Sequence, residues 1–212
     1  MKKQLVALAV GAVLAFVSPA GADTFSYDFS SPTGPLGTSQ AYTSNGVTVT
    51  ARGYSGISTP NNVGTPTNLF GKQQGGIEMG LGIAAGTNNE IQDPYFIQLD
   101  LTDVFSKLNV TSAMLSMASV TSGESYDIYG SNTQGVPGTK LIAGGTLDQT
   151  FFNLPNLGSF LYYSAGASNP DVLVAALTIQ AASPVPEPGS LALTAAGLGS
   201  LAFWYRRRSV KA

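Results

Sequence analysis

The chain has 212 residues and a formal net charge of −2, and it contains neither histidine nor cysteine. Without cysteine there are no disulfides or thiolate metal sites; without histidine there is no Ser-His-Asp or Cys-His catalysis, no common zinc site and no imidazole acid–base chemistry near neutral pH. Only 10% of the residues are charged, while 25 are glycine and 12 proline, a balance that favours short strands and turns over helices.

The first 22 residues read as a secretory signal peptide. Lys2 and Lys3 give a positive start, Leu5–Val17 is an apolar run, and Ser18-Pro19 breaks it. Ala20-Gly21-Ala22 then supplies the small residues a signal peptidase requires, with cleavage expected after Ala22. Residues 23–184 form the expected exported domain, long enough for one hydrophobic core. This stretch holds four bases (Arg52, Lys72, Lys107, Lys140) against eleven acids, a balance of −7. Such a surface has no basic patch to neutralise phosphates, which excludes nucleic acid as a partner and leaves cations or neutral polymers.

Period-two alternation dominates this domain. Phe25–Phe29 and Gly46–Ala51 read as strands, and Asn45-Gly46 between Ala41–Ser44 and Val47–Thr50 predicts a type I′ hairpin. Gly80-Leu81-Gly82-Ile83-Ala84-Ala85-Gly86 has one residue too many for a dinucleotide fingerprint and reads as turns beside a strand. The loop Asn88–Pro94 is rich in hard oxygens, so Asn89, Glu90 and Asp93 are candidate calcium ligands, with a solvated polar turn as the alternative. Tyr95–Leu101 places Tyr95, Ile97, Leu99 and Leu101 on one face and Gln98 and Asp100 on the other. Thr102–Leu108 has a helical pattern; Ala113, Leu115 and Met117, then Tyr126 and Ile128, form further inward rows.

Gln134–Thr139 reads as a turn-rich loop, Phe160–Tyr163 as a strand, and Val172–Gln180 closes the domain. Seven to nine short strands predict an all-β fold, an antiparallel β-sandwich of jelly-roll-like form. The acid pairs Glu90/Asp93, Asp100/Asp103 and Glu124/Asp127 are not distinguished as a hydrolase dyad. Tyr126, Tyr129, Tyr162 and Tyr163 offer either a sugar-stacking platform or core packing.

Residues 185–212 have a different character. Val185-Pro186-Glu187-Pro188 is kept extended by its prolines; 189–205 is uncharged and just long enough for a single transmembrane helix; Trp204 and Tyr205 precede Arg206, Arg207 and Arg208 in a basic tail, 206–212. By the positive-inside tendency the arginines stay cytoplasmic and the domain lies across the membrane.

This combination resembles the PEP-CTERM sorting signal of Gram-negative bacteria. The resemblance implies that Pro186, Glu187 and Pro188 are recognised by a membrane-embedded exosortase-like sorting enzyme and that the helix is removed. Residues 80–141 resemble the exported β-sandwich domains that accompany such tails. The expectation is a non-enzymatic protein of the cell envelope or extracellular matrix, tethered to the inner membrane in transit. It uses no cofactor unless calcium, and its partners are the membrane, the sorting enzyme and extracellular polysaccharide. The alternative is a calcium-assisted carbohydrate-binding module at the cell surface.

Overall fold

The computed structural model describes residues 22–183 apart from 60, 77, 86 and 170, together with 197, 199 and 200. Two units separate along the chain: Ala22–Ala182, and a second made of Met1–Gly21 with Ser183–Ala212. In the second unit Gly197, Gly199 and Ser200 are helical, and the Ser200 hydroxyl donates to the Gly197 carbonyl at 2.8 Å. The expected leader lies outside the described residues except for Ala22, and the expected span 189–205 lies outside them except for those three. Among the described residues no helix is long and apolar enough to cross a membrane.

The first unit is all-β. Its strands are β1 (Ala22–Asp28), β2 (Gly34–Gly37), β3 (Ser39–Ser44), β4 (Val47–Ser55), β5 (Thr65–Pro66), β6 (Leu69–Gln74), β7 (Glu78–Ile83) and β8 (Tyr95–Asp100). After the short helix α1 (Thr102–Lys107) come β9 (Val110–Ala118), β10 (Ser125–Ser131), β11 (Thr139–Gly145), β12 (Phe151–Asn153), β13 (Tyr162–Asn169) and β14 (Leu173–Ala182). Two antiparallel sheets pack as a sandwich. One runs β12-β9-β14-β7-β6-β2, with β1 also on β14; the other runs β11-β10-β13-β8-β4-β3, with β5 on β4.

Alternation explains the core. Phe25 and Tyr27, Leu115 and Met117, and Leu177 and Ile179 face inward from the first sheet, and Val49, Ile97, Leu99, Ile128 and Tyr163 from the second, all buried. The β3–β4 hairpin forms as its turn residues require, with Asn45 and Gly46 both at positive φ (49° and 77°). Three phenols are sealed in this core. Burial, with the nearby Asp103 charge, pushes Tyr27 up to about 12; burial alone does the same for Tyr163; burial, then Asp28, raises Tyr42 further. In the unfolded chain these groups ionise near 10, so their contribution to stability is complete below about pH 10 and is lost as pH rises through the folded values. The part of the tyrosinate absorbance contributed by Tyr27, Tyr42 and Tyr163, read as the loss of signal in their phenylalanine variants, should therefore rise together with the loss of near-ultraviolet dichroism above about pH 10, rather than ahead of it.

The reading of residues 80–86 needs correction. Gly80–Ile83 is not a turn beside a strand but strand β7 itself. Its glycines are there for close packing: a methyl on Gly80 would meet the Val174 carbonyl at 2.6 Å, and one on Gly82 would overlap the Asn89 carbonyl. β8 is buried on both faces, with Phe96 and Gln98 fully buried on the side away from Ile97 and Leu99. The loop after β10 covers it: the Gly135 amide donates to Gln98 Oε1 at 2.7 Å, and Gln98 Nε2 donates to the Val136 carbonyl at 3.0 Å. Tyr54, Ile57, Phe96 and Tyr129 form a second, smaller core there, with Tyr54 and Phe96 stacked at 5.3 Å.

Candidate functional site

The calcium expectation centred on Glu90. The structure buries that side chain, 2% exposed, with its Oε1 at 2.5 Å from Lys72 Nζ and 3.0 Å from the donating Ser119 hydroxyl. Lys72 also pairs with Glu78 at 2.6 Å. Burial pushes the Glu90 carboxyl above its ordinary value, although Lys72 and Ser119 act against that. For Lys72 burial works against the charge, and the bonds to Glu78 and Glu90 outweigh it and hold the ammonium above its ordinary value.

Asn89 lies beside Lys72 and Gln73, whereas Asp93 lines a separate hollow with Gln92 and Ser168. The three expected ligands are thus not brought together, and Glu90 already has an ammonium as its cation. Among the described residues no group of three His, Cys, Asp or Glu could hold a metal ion. Asn88 and Asn89 do something else: both sit at positive φ (58° and 61°), which asparagine tolerates, and so aim the loop back onto β7. The Lys72 cluster had a sequence signal that alternation does not show. Lys72 is the sole base between Arg52 and Lys107, in a segment containing Glu78 and Glu90.

The remaining acid pairs are equally committed to structure. Asp100 pairs with Arg52 at 3.3 Å, Asp103 with Lys107 at 2.9 Å and with the Thr48 amide, and Glu124 accepts from the Thr121 amide. Asp127 is held by Lys140 at 2.5 Å, by the Gly144 amide and by the Tyr129 hydroxyl. Burial works against its charge, and Lys140 and Gly144 outweigh that and keep it below the ordinary carboxylate value. Every base of the domain is therefore paired with an acid. Nine of the eleven acids accept a hydrogen bond, since Asp28, Asp148 and Asp171 also do so. Of the four tyrosines considered as a platform, Tyr126, Tyr129 and Tyr163 are buried, leaving only Tyr162 partly exposed.

One surface feature has a ligand-like shape. Across the outer side of the first sheet, Phe151, Ser116, Ala176 and Asp28 fall in one cross-strand row over β12, β9, β14 and β1. The small side chains at Ser116 and Ala176 leave a trough, rimmed by Phe151, Met79 and Asp28. Phe151 is 47% exposed, one of the few large apolar side chains to face water.

The ends of the domain carry the other candidate. Ala22, the first residue of β1, is the register partner of Ala182, the last of β14. β14 is paired on both sides, with β9 along one edge and β1 and β7 along the other, and the Ala182 amide donates to the Asn109 carbonyl at 2.9 Å. The last residue of β14 thus stands four residues before Pro186 in the sequence. Ala20, Pro186–Pro188 and Arg206–Arg208 lie outside the described residues. A family model, the PEP-CTERM protein-sorting motif, matches residues 184–209. The chain carries a PEP-CTERM sorting signal. The match takes in Pro186, Glu187 and Pro188, the uncharged stretch and all three arginines. No curated protein and no solved structure matches the chain. A PEP-CTERM signal implies an exported protein processed at the membrane by an exosortase-like enzyme. Here the match begins two residues after the end of a doubly paired strand.

Proposed function

We propose that the protein is a non-enzymatic component of the cell envelope or extracellular matrix, exported by its N-terminal leader and sorted through Pro186–Pro188. The observation that carries this reading is the PEP-CTERM motif following directly on a sandwich whose four bases are all paired with its own acids. All four bases and most acids of the domain serve its own structure, which supports a passive role in a matrix over catalysis. The helix 189–205 holds the chain in the inner membrane in transit, with Arg206–Arg208 on the cytoplasmic side. Replacing Glu187 by alanine, or deleting Arg206–Arg208, should leave the chain with the membrane fraction, while the parent domain is recovered outside the membrane without its tail. Mass spectrometry of the mature protein decides the matter. A mature form ending at Ala212 would make the helix a permanent anchor.

The Phe151 trough favours a second reading, attachment to a neutral polysaccharide. An exposed ring can stack on the C–H face of a sugar, and Asp28 and Ser116 can meet its hydroxyls. The domain's excess of acids opposes anionic polymers. Calcium has no role in this version, because Glu90 is occupied by Lys72. Phe151→Ala should weaken retention on neutral polysaccharide several-fold and leave the melting temperature almost unchanged. If the parent protein is retained on no neutral polysaccharide, this reading falls.

A further inference from the structure

We infer that folding closes the leader junction: the pairing of β14 with β1 locks the bond after Ala22, so the leader must be removed before β14 arrives. This inference rests on the reading of residues 1–22 as a cleaved leader. Its structural basis is the place of β1 in the sheet. Among the described residues β1 has one sheet partner, β14, which pairs with it from Ala22↔Ala182 through Asp23↔Ala181 to Asp28↔Ala176. β14 is also the last strand of the sandwich to be made.

Until β14 has crossed the membrane, β1 has no strand to pair with, and the chain around Ala22 stays extended. A peptidase that takes its substrate as an extended strand, pairing its own backbone with it, can then engage the junction. Once β14 is in place the backbone of Ala22 and of the residues that follow it belongs to the sheet. Phe25, three residues past the cut, is 7% exposed, and Tyr27 is 2% exposed, so the residues that follow the scissile bond are anchored in the core. The partner strand is held from its other side as well, by Ala181↔Val110 and by the Ala182 amide on Asn109. Releasing the junction requires opening the end of β1 against both side-chain burial and strand pairing. The register also means that the polypeptide enters and leaves the sandwich at a single residue pair. A chain with both sorting segments uncut can thus complete its fold, and a leader not removed in time becomes trapped.

The test uses the full chain with its leader intact, purified in detergent, and purified signal peptidase. Three forms are compared: the folded parent, the variant Thr178→Pro, whose proline disrupts β14 between β1 and β9, and a variant with a short Gly-Ser spacer between Ala22 and Asp23. The expected result is cleavage after Ala22 at least tenfold slower in the folded parent than in Thr178→Pro, with the spacer restoring fast cleavage in a folded domain. Equal rates for the folded parent and Thr178→Pro would overturn the lock. So would a spacer variant that stays slow, since the obstacle would then be the bulk of the domain and not strand pairing. If no form is cut after Ala22, the leader reading itself fails, and the lock fails with it.

Discussion

Replacing Lys72 by methionine should destabilise the domain by about 3–5 kcal/mol at neutral pH, as removal of one partner from a buried ion pair does. Lys72 is on β6 with its side chain 8% exposed, and it neutralises Glu90, whose side chain is 3% exposed. Without the ammonium, Glu90 retains only the Ser119 hydroxyl among the partners it has here. Burial already raises this carboxyl, and loss of Lys72 removes the main opposing effect, so Glu90 in the variant ionises only at a still higher pH. A group whose folded pKa lies above its unfolded value stabilises below the unfolded value and loses that contribution as pH rises through the folded one. The penalty of Lys72→Met should therefore be largest at neutral pH and shrink toward about pH 3, where Glu90 is protonated in both states. Urea unfolding of parent and variant at the two pH values measures this. The double variant Lys72→Met/Glu90→Leu should recover most of the loss, because the cost is that of an orphaned charge rather than of a missing contact. A penalty independent of pH, or a double variant no better than the single one, would mean that Lys72 acts only by packing.

The sequence revealed some parts of the fold and not others, for reasons that can be stated. A strand with one wet face, such as β1, alternates visibly, and the Asn45-Gly46 turn is equally plain, because each is specified by neighbours along the chain. The tail was legible because its signals are also local: a proline-bracketed glutamate, an uncharged stretch and three arginines. β6, Leu-Phe-Gly-Lys-Gln-Gln, was not expected as a strand, since its lysine looks like a surface residue until Glu78 and Glu90 are seen beside it. β7 was hidden by glycines that read as turns and that serve the close approach of the Val174 and Asn89 carbonyls. The covered face of β8 was beyond reach for a similar reason, since the loop that buries Gln98 lies 37 residues away. The expected calcium ligands illustrate the limit. Oxygen-rich spacing shows which groups could hold a cation, and only the three-dimensional arrangement shows that a lysine supplies it.

Ending the chain at Asp171 should abolish folding of the domain, whereas ending it at Ser183 should leave its stability nearly unchanged. The difference between the two is β14, which runs through the middle of the first sheet. Val172, Leu173, Val174, Leu177 and Ile179 are all fully buried, and at about 1.5–3 kcal/mol each their loss removes on the order of 7–15 kcal/mol. That equals the whole stability of an ordinary domain, about 5–15 kcal/mol, before counting the ladders to β1 and β9 that disappear with them. Far-ultraviolet dichroism and urea unfolding of chains beginning at Asp23 would separate the outcomes: a cooperative transition for the longer chain and none for the shorter. A folded, cooperative chain ending at Asp171 would show that the first sheet closes without its central strand, and the leader lock would lose its structural basis. If the longer chain folds as expected, removal of the PEP-CTERM tail at any bond after Ser183 leaves the sandwich intact. The sorting enzyme can then cut immediately beside the cargo at no cost to its stability.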